Sequence, residues 1–253
     1  MALKDVLATF KKEGDLVLPR IDRYLLSLNR TIDNTKSWWR EDEYLHPSAI
    51  YKCARVVLFE KAGIFLDVIK PRIQRIFDNG TFMHDRWMGY TEKAKIAISV
   101  NGKTRDIPFI DDILKIKGKA DQVLLLDSVK WVFELKSIKH EEFIKLMDIP
   151  EGYKWQLTLY EHELKIPRGI ALFEDKNDQS VKEFKLMLDE GLLKTILDKI
   201  QMVQYHLQKR LIPNREEYCD CKIGCQKEKW CAFKEVCGSG LSLEEIKKRV
   251  GKV

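Results

Sequence analysis

Twenty residues, GKADQVLLLDSVKWVFELKS from Gly118 to Ser137, constrain the fold of this 253-residue chain more than any other stretch. Two apolar runs flank Asp127, Ser128, Val129 and Lys130, which predicts two strands joined by a tight turn. Along the second strand Glu134 and Lys136 stand two apart and share one face, while Phe133 and Leu135 take the other. The midpoint of positions 121 and 134 falls between Asp127 and Ser128, so Asp121 is expected directly across from Glu134. Opposed residues in an antiparallel pair have Cβ atoms about 5 Å apart, and like charges there are destabilising. Something cationic belongs between them. A hard divalent ion such as Mg(II) or Mn(II) selects carboxylate oxygens and keeps room for water and phosphate. Lys136 is then placed to orient a water or to stabilise charge developing on phosphorus-bound oxygens. A solvated strand face that carries an Asp, a Glu and a Lys satisfies the same spacing.

Around this hairpin the pattern is that of a mixed α/β chain. Residues 1 to 45 read as helical and mixed in charge. A helix is expected from Pro47 to Gly63, with Ser48 as N-cap and Gly63 as its stop. A second is expected from about Lys70 through Tyr90, which Asn79-Gly80 could divide. From Ala94 onward the runs IAISV, ILKIKGKADQVLLL and VKWVFELKSI suit strands of a meander. Pro150 and Pro167 bracket a further helix. The run GIALFE, Gly169 to Glu174, reads as a buried strand, and Ser180 to Lys209 as a long amphipathic helix that Pro213 ends. Three segments follow: 1–70 helical, 71–210 the core, and 211–253 rich in cysteine.

Apolar stretches fall far short of the roughly 20 residues that span a bilayer. The first residues carry charges at Lys4, Asp5, Lys11 and Lys12, against an export signal. A cytoplasmic protein with no membrane partner is expected. The net charge is +6, from 45 Lys and Arg against 39 Asp and Glu, which permits a polyanionic partner without requiring one. Five of the six cysteines crowd between Cys219 and Cys237. In a reducing compartment such clustering points to metal ligation rather than disulfides.

Gly118-Lys119-Ala120-Asp121 followed by Glu134-Leu135-Lys136 resembles the G-x-x-D and E-x-K signature of PD-(D/E)XK nucleases, with Ala120 in the place of the proline. Gly80-Thr81-Phe82-Met83-His84 is similar to the G-x-x-x-H motif of the RecB-like branch, and Gln156-Leu157-Thr158-Leu159-Tyr160 to its Q-x-x-x-Y motif. Taken alone, His84 is an ordinary packed helix histidine and Gln156 with Tyr160 an amphipathic pattern. In the family's order they form a set, covering residues 46 to 238. The resemblance implies a restriction-endonuclease-like α/β core with a mixed central sheet flanked by helices. It assigns metal binding to His84, Asp121, Glu134 and the carbonyl of Leu135. Lys136 becomes catalytic, and Gln156 and Tyr160 order the site or hold the strand.

Ser48-Ala49-Ile50-Tyr51-Lys52-Cys53-Ala54-Arg55 resembles the upstream S-x-L-x-x-C-x-R helix of RecB-like nucleases with an iron-sulfur staple, such as the AddB-type and CRISPR-associated exonucleases. Those families follow the core with C-x2-C-x5-C. Cys231 and Cys237 reproduce the last step, whereas position 228 is Glu in place of a cysteine. The resemblance therefore implies Cys53, Cys225, Cys231 and Cys237 as ligands, with Cys221 or Cys219 able to stand for Cys225. A 4Fe-4S cluster and tetrahedral zinc both suit these thiolates. The centre would form a lobe that joins the N- and C-terminal segments. Lys222, Lys227, Lys229, Lys234 and Trp230 around it could grip a phosphate backbone or form an ordinary solvated face.

The implied activity is Mg- or Mn-dependent hydrolysis of DNA, more an exonuclease on single-stranded or frayed ends than an endonuclease, in recombination, repair, phage or CRISPR DNA processing. A helicase or recombination protein is the implied partner. Two other readings stay open: a zinc-stabilised nucleic-acid-binding module, and a non-catalytic subunit of a helicase-nuclease complex.

Overall fold

Asp121 breaks the long apolar run in two, and the rest of the architecture follows from that break. The computed structural model describes residues 17–35, 44–61, 69–213, 237, 240–242 and 244–246. Among them the order is α1 (Leu18–Thr35), α2 (Pro47–Ile50), α3 (Ala54–Lys61), α4 (Pro71–Lys93), β1 (Ile107–Asp111), β2 (Ile116–Ala120), β3 (Gln122–Leu126), β4 (Val129–Ile138), α5 (His140–Phe143), α6 (Glu151–Leu164), β5 (Arg168–Asp175), β6 (Val181–Met187) and α7 (Glu190–Lys209). β1 and β2 pair as an antiparallel ribbon, and the main sheet has the order β3-β4-β5-β6. β4 and β5 run parallel while the two outer pairings are antiparallel, so the sheet is mixed.

The chain divides into two compact units. The larger, Tyr44–Lys52 with Asn79–Tyr205, contains both sheets. Met83 and Met88 of α4 pack on one sheet face against Leu124, Phe133, Leu135, Ile170 and Leu172. α6 lies against β4, β5 and β6, and seven of its consecutive residues, Trp155 to Glu161, are buried. The smaller unit comprises Met1–Glu43, Cys53–Asp78 and His206–Val253. In it Leu58 and Phe59 of α3 pack with Ile246, and Arg75 pairs with the buried Asp22 of α1 at 2.5 Å.

Several expectations change. The single helix from Pro47 is two short ones, because Tyr51 docks edge-on to Trp155 at 5.5 Å and lies where a Cβ on Gly152 would stand 2.9 Å away. Its N-cap is His46, with Pro47 in the first turn, rather than Ser48. Gly63 lies outside the described residues. α4 runs unbroken through Asn79-Gly80. IAISV meets β3 through one bridge, Ala97 to Leu124, and makes no strand of its own, while IPFID forms β1. Ser180 to Lys209 is not one helix: VKEFKLM alternates exposed and half-buried residues, pairs along β5 as edge strand β6, and Asp189 then caps α7 through the N–H groups of Gly191 and Leu192.

No helix among the described residues is long and apolar enough to cross a membrane.

Candidate active site

The β3–β4 hairpin turns through Asp127 and Ser128, both at positive φ (49° and 64°), as a two-residue turn between twisted strands requires. Its register runs from Leu126↔Val129 to Gln122↔Phe133, the offset expected from the sequence. Pairing then stops. At Asp121 the chain crosses from the main sheet to the β1–β2 ribbon, and the Asp121 carbonyl accepts the Asp106 N–H at 3.0 Å. Beyond Phe133, β4 therefore has β5 on one side and, among the described residues, no strand on the other. Asp121 turns its carboxylate onto this open edge, where Oδ2 accepts the Leu135 N–H at 2.8 Å. A strand residue's N–H and C=O leave the chain on the same side, so the Leu135 carbonyl faces that edge too. His84 approaches from α4, with Nδ1 at 3.5 Å from Asp121 Oδ2.

On the α6 face of β4, Glu134 is 1% exposed. Its Oε1 accepts from Gln156 Nε2 at 2.8 Å and from the Lys136 ammonium. The same Gln156 nitrogen lies 2.8 Å from the Tyr160 hydroxyl, completing a chain Tyr160–Gln156–Glu134–Lys136. Glu134 Oε2 is buried and has no hydrogen-bond partner among the described residues. Burial and then the Asp121 charge push the Glu134 carboxyl up to about 7. Burial alone would lower the Lys136 ammonium, but Glu134 and Asp121 outweigh it and hold it above its ordinary value. Desolvation also works to lower His84, and its hydrogen bond and charge interaction with Asp121 leave it raised. Burial, then Glu134, lifts the Tyr160 hydroxyl well above its usual range.

No protein-family model matches the chain, and no curated protein matches it. Solved structures do. SSO0001 matches with a TM-score of 0.50 and 20% identity over 88% of this chain and 98% of that one. LHK-Exo, an alkaline exonuclease from Laribacter hongkongensis, matches in its complex with dAMP with a TM-score of 0.51 and 13% identity over 69% of this chain and 93% of that one. The fold is shared with an exonuclease.

Within this nuclease-like fold, His84, Asp121, Glu134, Lys136, Gln156 and Tyr160 come together around the open half of β4. No group of three or more His, Cys, Asp or Glu side chains among the described residues is drawn into a ready-made metal site. The reason is local: the Lys136 ammonium sits on Glu134, and Asp121 is turned toward Leu135 N–H and His84. The donor set still suits a hard cation, because Glu134 has a buried oxygen to spare and Asp121 faces the same edge as the Leu135 carbonyl.

Two contributors escape sequence reasoning. Tyr153 lays its ring 5.4 Å from the Lys136 ammonium; its place one turn before Gln156 on α6 was the available signal. Phe109 of β1 meets Tyr160 edge-on at 5.6 Å. Gly118 is glycine because a Cβ there would stand 2.7 Å from the Phe109 ring and 3.0 Å from Pro47.

Of the cysteines, Cys219, Cys221, Cys225 and Cys231 lie outside the described residues, as do Lys222, Lys227, Lys229, Lys234 and Trp230. Cys53 and Cys237 are half-buried and lie in the smaller unit. Cys53 precedes α3 and its carbonyl accepts the Val57 N–H at 3.1 Å. Arg55, two residues on, donates to the Pro213 carbonyl at 2.8 Å, to the Cys237 carbonyl, and to Cys237 Sγ at 3.5 Å.

Proposed function

We propose that the protein is a metal-dependent nuclease that hydrolyses DNA phosphodiesters, acting as an exonuclease on single-stranded or frayed ends. The observation that carries this reading is the Glu134 carboxylate: buried, bonded to Gln156 and Lys136, one oxygen unsatisfied, and close to the Asp121 charge. An isolated buried carboxylate is costly, and a cation shared with Asp121 removes that cost. His84, Asp121, Glu134 and the Leu135 carbonyl would hold Mg(II) or Mn(II). Such an ion supplies phosphate polarisation and a bound water of lowered pKa.

The chain's own groups do the rest. Lys136, kept charged by Glu134, donates to the phosphorus-bound oxygens as negative charge builds on them. A water oxygen bonds to phosphorus and releases one proton to solvent while the ester bond to the departing oxygen breaks, and that departing oxygen takes up a proton from solvent. Gln156 fixes the orientation of Glu134, and Tyr160 fixes Gln156. Residues 71–210 form the catalytic core in this reading. Segments 1–70 and 211–253 are tied in this reading by a 4Fe-4S cluster on Cys53, Cys225, Cys231 and Cys237; the Arg55 contact with Cys237 Sγ places that sulfur beside the helix that Cys53 precedes. A helicase or recombination protein would supply unwinding.

The test is cleavage of an end-labelled single-stranded oligonucleotide with Mn(II). Asp121→Ala and Lys136→Ala should each lose about a thousandfold or more in rate, with unchanged circular dichroism. Cleavage retained by both purified variants overturns the assignment.

A further inference from the structure

The end of β5 carries two consecutive buried carboxylates, Glu174 and Asp175, that the proposed chemistry does not use. Successive strand residues point to opposite faces, so the two are aimed apart. Each holds one cation. On the α4 face, Glu174 accepts Arg86 Nη2 on both oxygens, at 2.6 Å and 2.5 Å, and Trp87 Nε1 at 2.6 Å. On the other, Asp175 Oδ2 contacts His140 Nδ1 at 2.6 Å, while Oδ1 accepts the Asn177 N–H at 2.8 Å. The carboxylates are nearly inaccessible, yet the side chains they hold are 38% (Arg86) and 42% (His140) exposed. Arg86 Nε and Nη1 and His140 Nε2 have no partner among the described residues. Asp175 also holds the His140 imidazolium above histidine's ordinary range.

Their position relative to the site is given by the parallel register: Lys136 lies beside Phe173, Ser137 beside Glu174 and Ile138 beside Asp175. The two carboxylates thus stand one and two residues past the Lys136 level, roughly 3 and 7 Å along the strand. They are at the carboxyl ends of parallel strands, where open α/β sheets bind ligands. Burying two carboxylates to hold two half-exposed cations there does little for the core. It fixes the direction of the cations' remaining donors. Glu141 and Asp178 add negative charge near His140, so a phosphate there would be held by the directed Nε2–H hydrogen bond rather than by net positive charge.

We propose that Arg86 and His140, each locked by its carboxylate, grip backbone phosphates of the substrate strand next to the cleaved bond. The inference rests on the nuclease reading for the identity of the strand. Both are positioning residues. They set where the strand lies over Lys136, one from each face of the sheet.

The test uses the full chain and fluorescein-labelled oligothymidylate in EDTA at pH 6.5, with anisotropy read across a NaCl series. Arg86→Gln keeps an amide donor for Glu174 and removes the charge; His140→Gln does the same for Asp175. Each should lower the slope of log affinity against log salt by about 0.7, the value for one single-strand phosphate contact. With Mn(II), KM should rise about tenfold with kcat little changed. A structural role alone would leave the salt slope intact. Unaltered slopes in both variants, or a wild-type chain that does not bind the oligonucleotide, overturn the inference. If Asp121→Ala cleaves as well as wild type while Arg86→Gln still flattens the slope, the nuclease reading falls and the phosphate contacts stand.

Discussion

Glu161 shows how one side chain can set a pH dependence of stability without touching the site. It is fully buried on α6, neither carboxylate oxygen has a hydrogen-bond partner among the described residues, and a Cβ on Gly169 would stand 2.5 Å from Oε1. Burial lifts its carboxyl to about 8. An unfolded glutamate titrates near about 4.3. Because the folded value is the higher one, the native state binds this proton more tightly, and stability falls as pH rises from the unfolded value to about 8. Glu161→Gln is therefore expected to melt with wild type at pH 4 and several degrees above it at pH 8. Matched melting temperatures at both pH values would mean that the carboxyl finds a partner in solution. The Glu134 environment has the same origin in burial, but Lys136, Gln156 and Asp121 surround it. The hairpin's register was legible in its length as far as Gln122↔Phe133, but the ladder ends one residue short of Asp121 and Glu134; the Gln156 hydrogen bond depends on how α6 crosses β4 and has no signature in spacing.

Local pattern and pairing competed differently in different elements. Asn79-Gly80 carries a turn signal, yet α4 continues through it for 23 residues because Met83, Met88 and their neighbours pack on the sheet. Gly80 has nothing within 4 Å of an added Cβ. Gly80→Ala should then stabilise the helix by about 0.5–1 kcal/mol and raise the melting temperature by roughly 2–4 °C; a lower melting temperature would show that the glycine meets a constraint in the fold. In β6 the conflict resolved the other way. Seven residues of VKEFKLM fit a helix or a strand face equally well, and the unpaired edge of β5 selected the strand. The split of ILKIKGKADQVLLL at Asp121 has the same cause, since β2 pairs with β1 and β3 with β4.

For the molecule as a whole, the proposed cluster would tie positions far apart in the chain. Protein purified without oxygen is expected to be brown, with broad absorption near about 400 nm and roughly four irons per chain. Cys53→Ser and Cys237→Ser should each lose the colour and most of the iron; one zinc per chain and no colour would replace the cluster with a tetrahedral site. Neither result depends on the chemistry at Asp121. The shared fold with an alkaline exonuclease, at 13% identity, likewise speaks to the arrangement of elements and not to the cysteines.

By itself the sequence determined the hairpin, its register and the pairing of Glu134 with Lys136 on one face, because these follow from strand alternation and a two-residue turn. It also determined the presence of helices carrying His84, Gln156 and Tyr160, because apolar spacing and proline boundaries are local. Only the tertiary structure decided that Asp121 sits where two sheets part, that the Leu135 carbonyl faces an open strand edge, and that Glu174 and Asp175 hold Arg86 and His140 beside it. Those outcomes depend on which strand pairs with which and where pairing stops. They are set by long-range burial rather than by any short stretch of residues.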